Sequence, residues 1–576
     1  MTEDYFKYDL KDVKVDIKRA IFECSQRGLY HSTKWLAELN YSLSSVELEP
    51  ADIARCQQPL ETDNEADSYS LAQSYFNLKE YDRCAYFTES CVSQRARFLH
   101  RYARYLSAEK KRVEGRADAA SPPDPAARAE LRALSSELRG DRAAGTLDGF
   151  GLYLHGVVLK RLDLPGEACD ALVEAACREP AHWGAWLELT SLVTDRAKLN
   201  SLTLPNTWVK HFFMAHTYLD LQLNDEALEI YWHLQNKGFK KSTYVLAQIA
   251  IAYHNKREVE LAISSFSRLQ KLDPYRLDNL DTYSNLLYVR ELRLELAHLA
   301  HHVSQIDKYR VETCCVIGNY YSLRTEHQKA VLYFQRALKL NPQYTSAWTL
   351  MGHEYMEMKN TNAAILSYRQ AIEVSRRDYR AWYGLGQTYE ILKMYFYCLY
   401  YYKQAQFLRP NDSRMLIALG ETYEKLEKKE DAIKCYYKAY SVGDSELTST
   451  LKLAKLYDKL EESSNAKRAY LKYVTESEKN AIADKSELSQ AYKYLANAYL
   501  KTEDLDEAYQ FAQKCLEYEE TKEEGKALLK AIAQKRNQQE EIAMQVEEYL
   551  SSSRMRTRAH DGTSGNQIAP INLSFM

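Results

Sequence analysis

Between residues 243 and 480 the chain repeats one arrangement of small, apolar and polar positions every 34 residues. Gly318, Gly352, Gly386 and Gly420 mark the period. Three residues after each stands Tyr321, Tyr355, Tyr389 or Tyr423, and twelve after it Ala330, Ala364, Cys398 or Ala432. Sixteen after it come Phe334, Tyr368, Tyr402 and Tyr436, and nineteen after it Ala337, Ala371, Ala405 and Ala439. Apolar positions at this helical spacing, divided by a polar break, predict two amphipathic helices per period. Units starting at 243, 277, 311, 345, 379, 413 and 447 keep the register, and Ala496, Tyr499 and Ala508 resume it after a short insertion. Upstream the pattern is looser: Ala215, Tyr218, Ala227 and Tyr231; Gly156, Leu159, Ala168 and Ala175; Ala72, Tyr75 and Cys84.

The columns have a physical reading. Small residues at the Gly and first Ala columns let the two helices of a unit approach closely, and the aromatic columns fill the space between them and the next unit. Pro274, Pro342 and Pro410 cannot continue the second helix and start the next turn. This is the tetratricopeptide spacing. No unit buries its apolar face alone, so the expected fold is all-α, a tetratricopeptide-repeat superhelical solenoid with a concave and a convex face. Its expected divisions are N-terminal helical repeats over 1–107, a charged and Pro-containing disordered linker over 108–128, and irregular repeats over 129–242. Seven contiguous repeats with a peptide groove follow over 243–480, then a final repeat with capping helices over 481–547 and a disordered tail over 548–576. Within 129–242, residues 191–207 read as an interruption carrying a Leu-Pro turn.

Composition narrows the function. With 77 Lys and Arg against 80 Asp and Glu, a net charge of −3 and a pI near 6.6, the chain lacks the basic footprint of a nucleic-acid binder. An apolar content of 45% excludes wholesale disorder. No secretory signal opens the chain and no apolar run reaches the roughly 18 residues of a membrane helix. The 11 cysteines are scattered without a CxxC pair. A soluble intracellular protein with reduced thiols is expected, with no membrane and no nucleic-acid partner.

Chemistry is sparse. No phosphate-loop, dinucleotide, serine-hydrolase or zinc-protease motif occurs. His298 and His302 share a helix face, but no third ligand is spaced to join them. Gly384-x-Gly386 falls within a first helix with no strand before it. Neither a catalytic residue, a metal site nor a cofactor is expected, and the repeats leave no room for a catalytic domain. Ser121-Pro122 fits a proline-directed phosphorylation site, although Ser-Pro pairs also arise from loop composition alone.

Peptides bind such solenoids along first-helix positions 2, 5, 9 and 12. Here those positions include Asn285, Asn319, His353, Tyr383, Gln387 and Glu390. The set is amide-rich, aromatic and increasingly acidic, and suits a peptide carrying Arg or Lys beside an apolar or aromatic residue. Exposed polar positions of any superhelix would look similar. The central units carry no Lys or Arg at positions 5 and 9, which disfavours capture of a chaperone C-terminal carboxylate.

Several stretches go beyond the generic columns: "DGFGLYLHGVVLKRLDL" (148–164), "DKYRVETCCVIGNYYSLR" (307–324), "AWTLMGHEYMEMKN" (347–360) and "RDYRAWYGLGQTYEILKM" (377–394). With "RGLYHSTKWLAELNYSL" (27–43), "HWGAWLEL" (182–189) and "LRPNDSRML" (408–416), they resemble the subunit 8, Cdc23-like, family of the anaphase-promoting complex/cyclosome. The resemblance implies a non-catalytic scaffold in a cell-cycle E3 ubiquitin ligase, found in nucleus and cytoplasm; the alternative is a tetratricopeptide adaptor or co-chaperone binding extended peptides outside the ubiquitin system. It implies a homodimer formed through the N-terminal repeats, stacking with other tetratricopeptide subunits, and a groove for the basic/aromatic C-box motif of a coactivator. Of the 46 tyrosines, 14 occupy the two aromatic columns. The surplus, clustered at Tyr395, Tyr397, Tyr400 and Tyr401, is expected to mark surfaces covered by other subunits.

Overall fold

The computed structural model describes residues 7–49, 63–115, 125–444, 447–480 and 484–558, and all regular structure among them is helical. Two compact units, Met1–Lys359 and Asn360–Met576, are taken in turn. The first begins with α1 (Leu10–Gln26), α2 (Tyr30–Ser42), α3 (Asp63–Asn77), α4 (Tyr81–Thr88), α5 (Gln94–Glu114) and α6 (Pro125–Ala143). Next, α7 (Gly149–Arg161) pairs with α8 (Pro165–Arg178), α9 (Trp183–Leu192) is followed by the short α10 (Arg196–Ser201), and α11 (Trp208–Asp220) pairs with α12 (Asn224–Leu234). Then come α13 (Thr243–Lys256) with α14 (Val259–Leu272), α15 (Leu280–Val289) with α16 (Arg293–Ile306), α17 (Val311–Leu323) with α18 (His327–Leu340), and α19 (Thr345–Glu357). The second unit holds α20 (Thr361–Val374), then α21 (Tyr379–Ile391) with α22 (Tyr395–Leu408) and α23 (Ser413–Lys425) with α24 (Lys429–Val442). It ends with α25 (Thr448–Lys459) and α26 (Ser463–Asn480), α27 (Lys485–Lys501) and α28 (Leu505–Cys515), and α29 (Lys522–Arg558).

The repeat register reappears in the backbone. In eleven turns, from Lys79 through Asp163, Gln222 and Lys393 to Glu503, a non-glycine residue seven after the Gly column adopts φ between 54° and 67°. Each closes a first helix: Met394 N–H donates to Tyr389 O at 2.9 Å, and Lys428 N–H to Tyr423 O at 2.9 Å. That is the bond of a left-handed helix C-terminus, with the aromatic column supplying the carbonyl. A side chain in this region costs roughly 1 kcal/mol. Lys393→Gly is therefore expected to be neutral or stabilising by up to about 1 kcal/mol, and Lys393→Val destabilising, because a β-branched residue tolerates the conformation least. Thermal unfolding of the two variants would contradict this if the glycine variant melted lower.

The glycine column is set by packing. A Cβ on Gly318 would lie 2.5 Å from the Phe334 ring, and one on Gly420 2.5 Å from the Tyr436 ring. The aromatic columns divide by burial. Phe334, Tyr368, Tyr402 and Tyr436, on second helices, are fully buried, whereas Tyr321, Tyr355 and Tyr423 are half-buried.

Three sequence expectations change. The interruption at 191–207 contains the end of α9 and a short helix, α10. Trp186 Nε1 donates to Pro180 O (2.9 Å) as Trp348 Nε1 does to Pro342 O (2.9 Å), so α9 is a first helix, and the helix that follows it is only six residues long. The linker of 108–128 is helical at both ends. Lys, Arg, Glu and Ala are strong helix formers, and α5 continues to Glu114, with Arg112 bonded to Glu109 at 2.8 Å. Ser121 lies outside the described residues. The last helix runs to Arg558, past the expected tail boundary at 548, through a stretch free of Gly and Pro.

Candidate functional site

The first helices of the second unit present aligned faces. Lys425 on α23 reaches back to the Glu390 carboxylate on α21, Lys459 on α25 to Glu424 on α23, and Lys452 to Glu421 at 3.0 Å. Glu390 and Glu424 also hold the buried tyrosine column: Tyr402 Oη donates to Glu390 Oε2 at 2.8 Å and Tyr436 Oη to Glu424 Oε2 at 3.3 Å. Each glutamate thus ties its own second helix to the next first helix. Burial, then the facing carboxylate, pushes the phenol pKa of Tyr402 and of Tyr436 far up. Burial works against the charge on Lys425, but its bond to Glu390 outweighs that and raises its pKa.

This changes the expected electrostatics. The acidic positions are neutralised by lysines of the following repeat, so the face is charge-paired, and such half-exposed pairs contribute about 0.2–1 kcal/mol each. Glu390 is already bonded twice, and a ligand cation reaches it only by displacing Lys425. Gln387 is exposed on the same face. Tyr383 is half-buried beside Tyr402, ring centroids 5.3 Å apart, and burial raises its pKa. The lysines had a readable signal: Lys425 and Lys459 both stand five after the small column, 34 residues apart.

In the first unit, Asn319 is only 3% exposed. Its amide donates to Ser284 Oγ (2.8 Å) and Asn285 Oδ1 (2.7 Å), so it joins α17 to α15 instead of facing outward as expected. Asn285 is half-buried and accepts that bond, and His353 is half-buried on α19. Beside His353, the Glu354 carboxylate is buried, accepting from Ser322 Oγ (2.7 Å) and pairing with His327 Nδ1 (2.8 Å). Burial raises its pKa against the pull of those two bonds.

Further toward the N-terminus, α1 and α2 lie against the first helices α9, α11 and α13. The Trp35 ring stacks on Trp183 at 4.2 Å and meets the edges of Phe212 and Tyr244 at 5.5 and 5.7 Å. Ser32 Oγ accepts from Gly184 N–H at 3.0 Å, and Lys34 pairs with Asp278 at 2.7 Å. On α1, Cys24 Sγ lies 3.7 Å from His182 Nδ1, and Leu10 packs against Gly238, whose φ of 135° and missing side chain make room for it. Burial, then the Arg27 charge, lowers the His182 pKa to about 3, while burial raises that of Cys24 to about 12.

Among the described residues no group of three His, Cys, Asp or Glu side chains could hold a metal ion, and no helix is long and apolar enough to cross a membrane. His302 Nε2 lies 3.0 Å from Pro274 O.

Comparison with known proteins agrees with the geometry. The family described as anaphase promoting complex subunit 8 / Cdc23 matches residues 12–250. TPR repeat and tetratricopeptide repeat families match residues 352–391 and residues 311–344, 413–442 and 490–522. The chain is 53% identical over 302 residues to the cell division cycle protein 23 homolog of Mus musculus, covering 52% of this chain and 50% of that one. It is 39% identical over 374 residues to the anaphase-promoting complex subunit 8 of Arabidopsis thaliana, covering 58% and 64%. To the anaphase-promoting complex subunit CDC23 of Saccharomyces cerevisiae it is 32% identical over 439 residues, covering 61% and 70%. The matched part spans about half the length of the mammalian relatives. A crystal structure of an APC/C hetero-tetramer, Cut9-Hcn1, aligns over 89% of this chain and 95% of that one, with a TM-score of 0.52 and 17% identity, a likeness of fold. With 32% identity to a relative of which it covers 70%, the chain belongs to the anaphase-promoting complex subunit 8/Cdc23 family.

Proposed function

We propose that the protein is a non-catalytic scaffold subunit of the anaphase-promoting complex/cyclosome, a cell-cycle ubiquitin ligase whose transfer chemistry belongs to other subunits. Membership of the subunit 8/Cdc23 family carries this reading. In this reading the chain forms a homodimer through its N-terminal repeats, stacks with other tetratricopeptide subunits, and works in nucleus and cytoplasm. The exposed aromatic face of α22, where Phe396 is 75% and Phe407 80% exposed beside Tyr397 and Tyr400, supports coverage by a neighbouring subunit. Affinity purification from dividing cells should recover a ligase containing several related repeat subunits. Recovery of the chain without them would sink the reading.

The same proposal assigns a coactivator C-box motif to the first-helix face of the second unit, where Tyr383 and Gln387 are the accessible members of the expected set. A tyrosine ring and an amide suit the aromatic residue and the arginine of such a motif. Tyr383→Ala with Gln387→Ala should weaken binding of a labelled peptide carrying Arg and Tyr by about tenfold, near 1.4 kcal/mol, without changing helical content. Unchanged affinity in a fluorescence-anisotropy titration would remove the site from this face.

A further inference from the structure

Position 2 of the first helices completes the ligand face, and in the second unit it carries arginine twice: Arg380 on α21 and Arg414 on α23. Other repeats place Tyr244, Asp278, Glu312, Ser346 and Thr448 there, so the basic pair is confined to the helix that bears Tyr383 and the first helix after it. Both arginines are anchored alike. Asp378 Oδ1 accepts from the Arg380 N–H and from its Nε, each at 3.1 Å. Asp412 accepts from the Arg414 N–H at 3.1 Å and from its Nη2 at 3.5 Å. The two carboxylates are buried, whereas the arginine side chains are 39% and 46% exposed. A third arginine, Arg409 at the end of α22, lays its guanidinium over the Tyr379 ring at 4.0 Å. Burial lowers its pKa; Tyr379 and Asp412 support its charge, and Arg380 and Arg414 oppose it. Three guanidiniums therefore crowd one edge of the face. Tyr383 stands close to that edge: burial raises its phenol pKa, and the Arg414 charge pulls against it.

The face is thus polar along α21, with arginine at its N-terminal end and the Glu390 carboxylate at its C-terminal end. Positions 380 and 390 lie about 15 Å apart along the helix, which an extended peptide covers in about four or five residues. We infer that Arg380, Arg409 and Arg414 form an oxyanion subsite for the carboxylate or phosphate of an acidic or phosphorylated residue, about four or five residues from the arginine of the peptide that lies on Tyr383 and Gln387. The inference rests on the peptide face proposed above and adds a second charge of opposite sign, which fixes the direction of the bound chain. Guanidinium forks match carboxylate and phosphate oxygens, and an oxyanion among three like charges relieves their repulsion.

The test uses the full chain and fluorescein-labelled peptides carrying Arg and Tyr, with alanine, aspartate or phosphoserine four residues before or after the arginine. In one of the two orders, aspartate should tighten binding about threefold over alanine and phosphoserine about tenfold. Gain with phosphoserine alone assigns the subsite to phosphate, and gain with both means that a carboxylate suffices. In Arg380→Gln with Arg414→Gln, at unchanged helical content, the ratio to the alanine peptide should fall to about one. Arg380→Lys with Arg414→Lys, which keeps both charges without the forks, should retain part of the preference. Equal binding of the three peptides in both orders overturns the subsite and leaves the peptide face standing. A preference that survives the Gln pair undiminished overturns the assignment to these arginines. Failure of every peptide to bind overturns face and subsite together.

Discussion

Gly386→Leu is expected to destabilise the second unit by about 1–3 kcal/mol, through overpacking. A Cβ at Gly386 would sit 2.5 Å from Cδ1 and Cε1 of Tyr402, whose ring is fully buried and whose hydroxyl is fixed by Glu390. The ring cannot swing aside without breaking that bond, so the cost falls on the separation of α21 and α22. Tyr402→Ala alone should cost about 3–5 kcal/mol by leaving a cavity. In the double variant the leucine side chain enters that cavity, so the combined loss should fall below the sum of the two by about 0.5–3 kcal/mol. A cycle followed by hydrogen exchange in α21 and α22 checks this. Strict additivity would mean that the column glycine answers to helix conformation and not to the ring opposite it.

The second large effect is an acid sensitivity of the first unit. Unfolded, His182 titrates near 6.5; folded, it is held at about 3. Between those values the unfolded chain binds a proton that the folded chain refuses, so stability rises with pH across that window and falls on acidification. The slope is about 1.4 kcal/mol per pH unit, reaching about 2 kcal/mol at pH 5. Glu179, whose carboxyl is raised by burial, titrates with the opposite sign, so the comparison is with His182→Phe, which retains it. The thermal midpoint followed by tryptophan fluorescence should drop less between pH 7 and pH 5 in that variant. Parallel profiles would show that His182 is protonated in the folded state at no cost.

The helices and their register were legible because their causes are local. A glycine faces a ring sixteen residues on, and a left-handed turn follows seven residues on, all within one period. The same locality explains part of the tyrosine excess. Phe334 fills its column by volume alone, whereas at Tyr402 and Tyr436 the hydroxyl adds a donor to a glutamate, a role phenylalanine cannot take. Helix α10 escaped because six residues are too few to display a period.

The site was read less well, for a different reason. Positions 9 and 12 were correctly placed on first helices, but whether a polar group there faces a ligand depends on the next repeat. Asn319 turned out to be bonded to Ser284 and Asn285, and Glu390 to Lys425, each about one period distant. The packing of α2 on distant first helices could not be anticipated at all: nothing around Trp35 announces partners at Trp183 and Tyr244.

The glutamate–lysine pairs also decide how a cationic ligand is felt. If a ligand arginine replaces Lys425 on Glu390, one ion pair forms as another opens, and the lysine returns to water. Binding then becomes an exchange of counter-cations, close to neutral in total charge pairing. Salt screens the old pair and the new alike, so affinity at this face should depend only weakly on ionic strength, and recognition rests on the planar fork of arginine, which an ammonium cannot match.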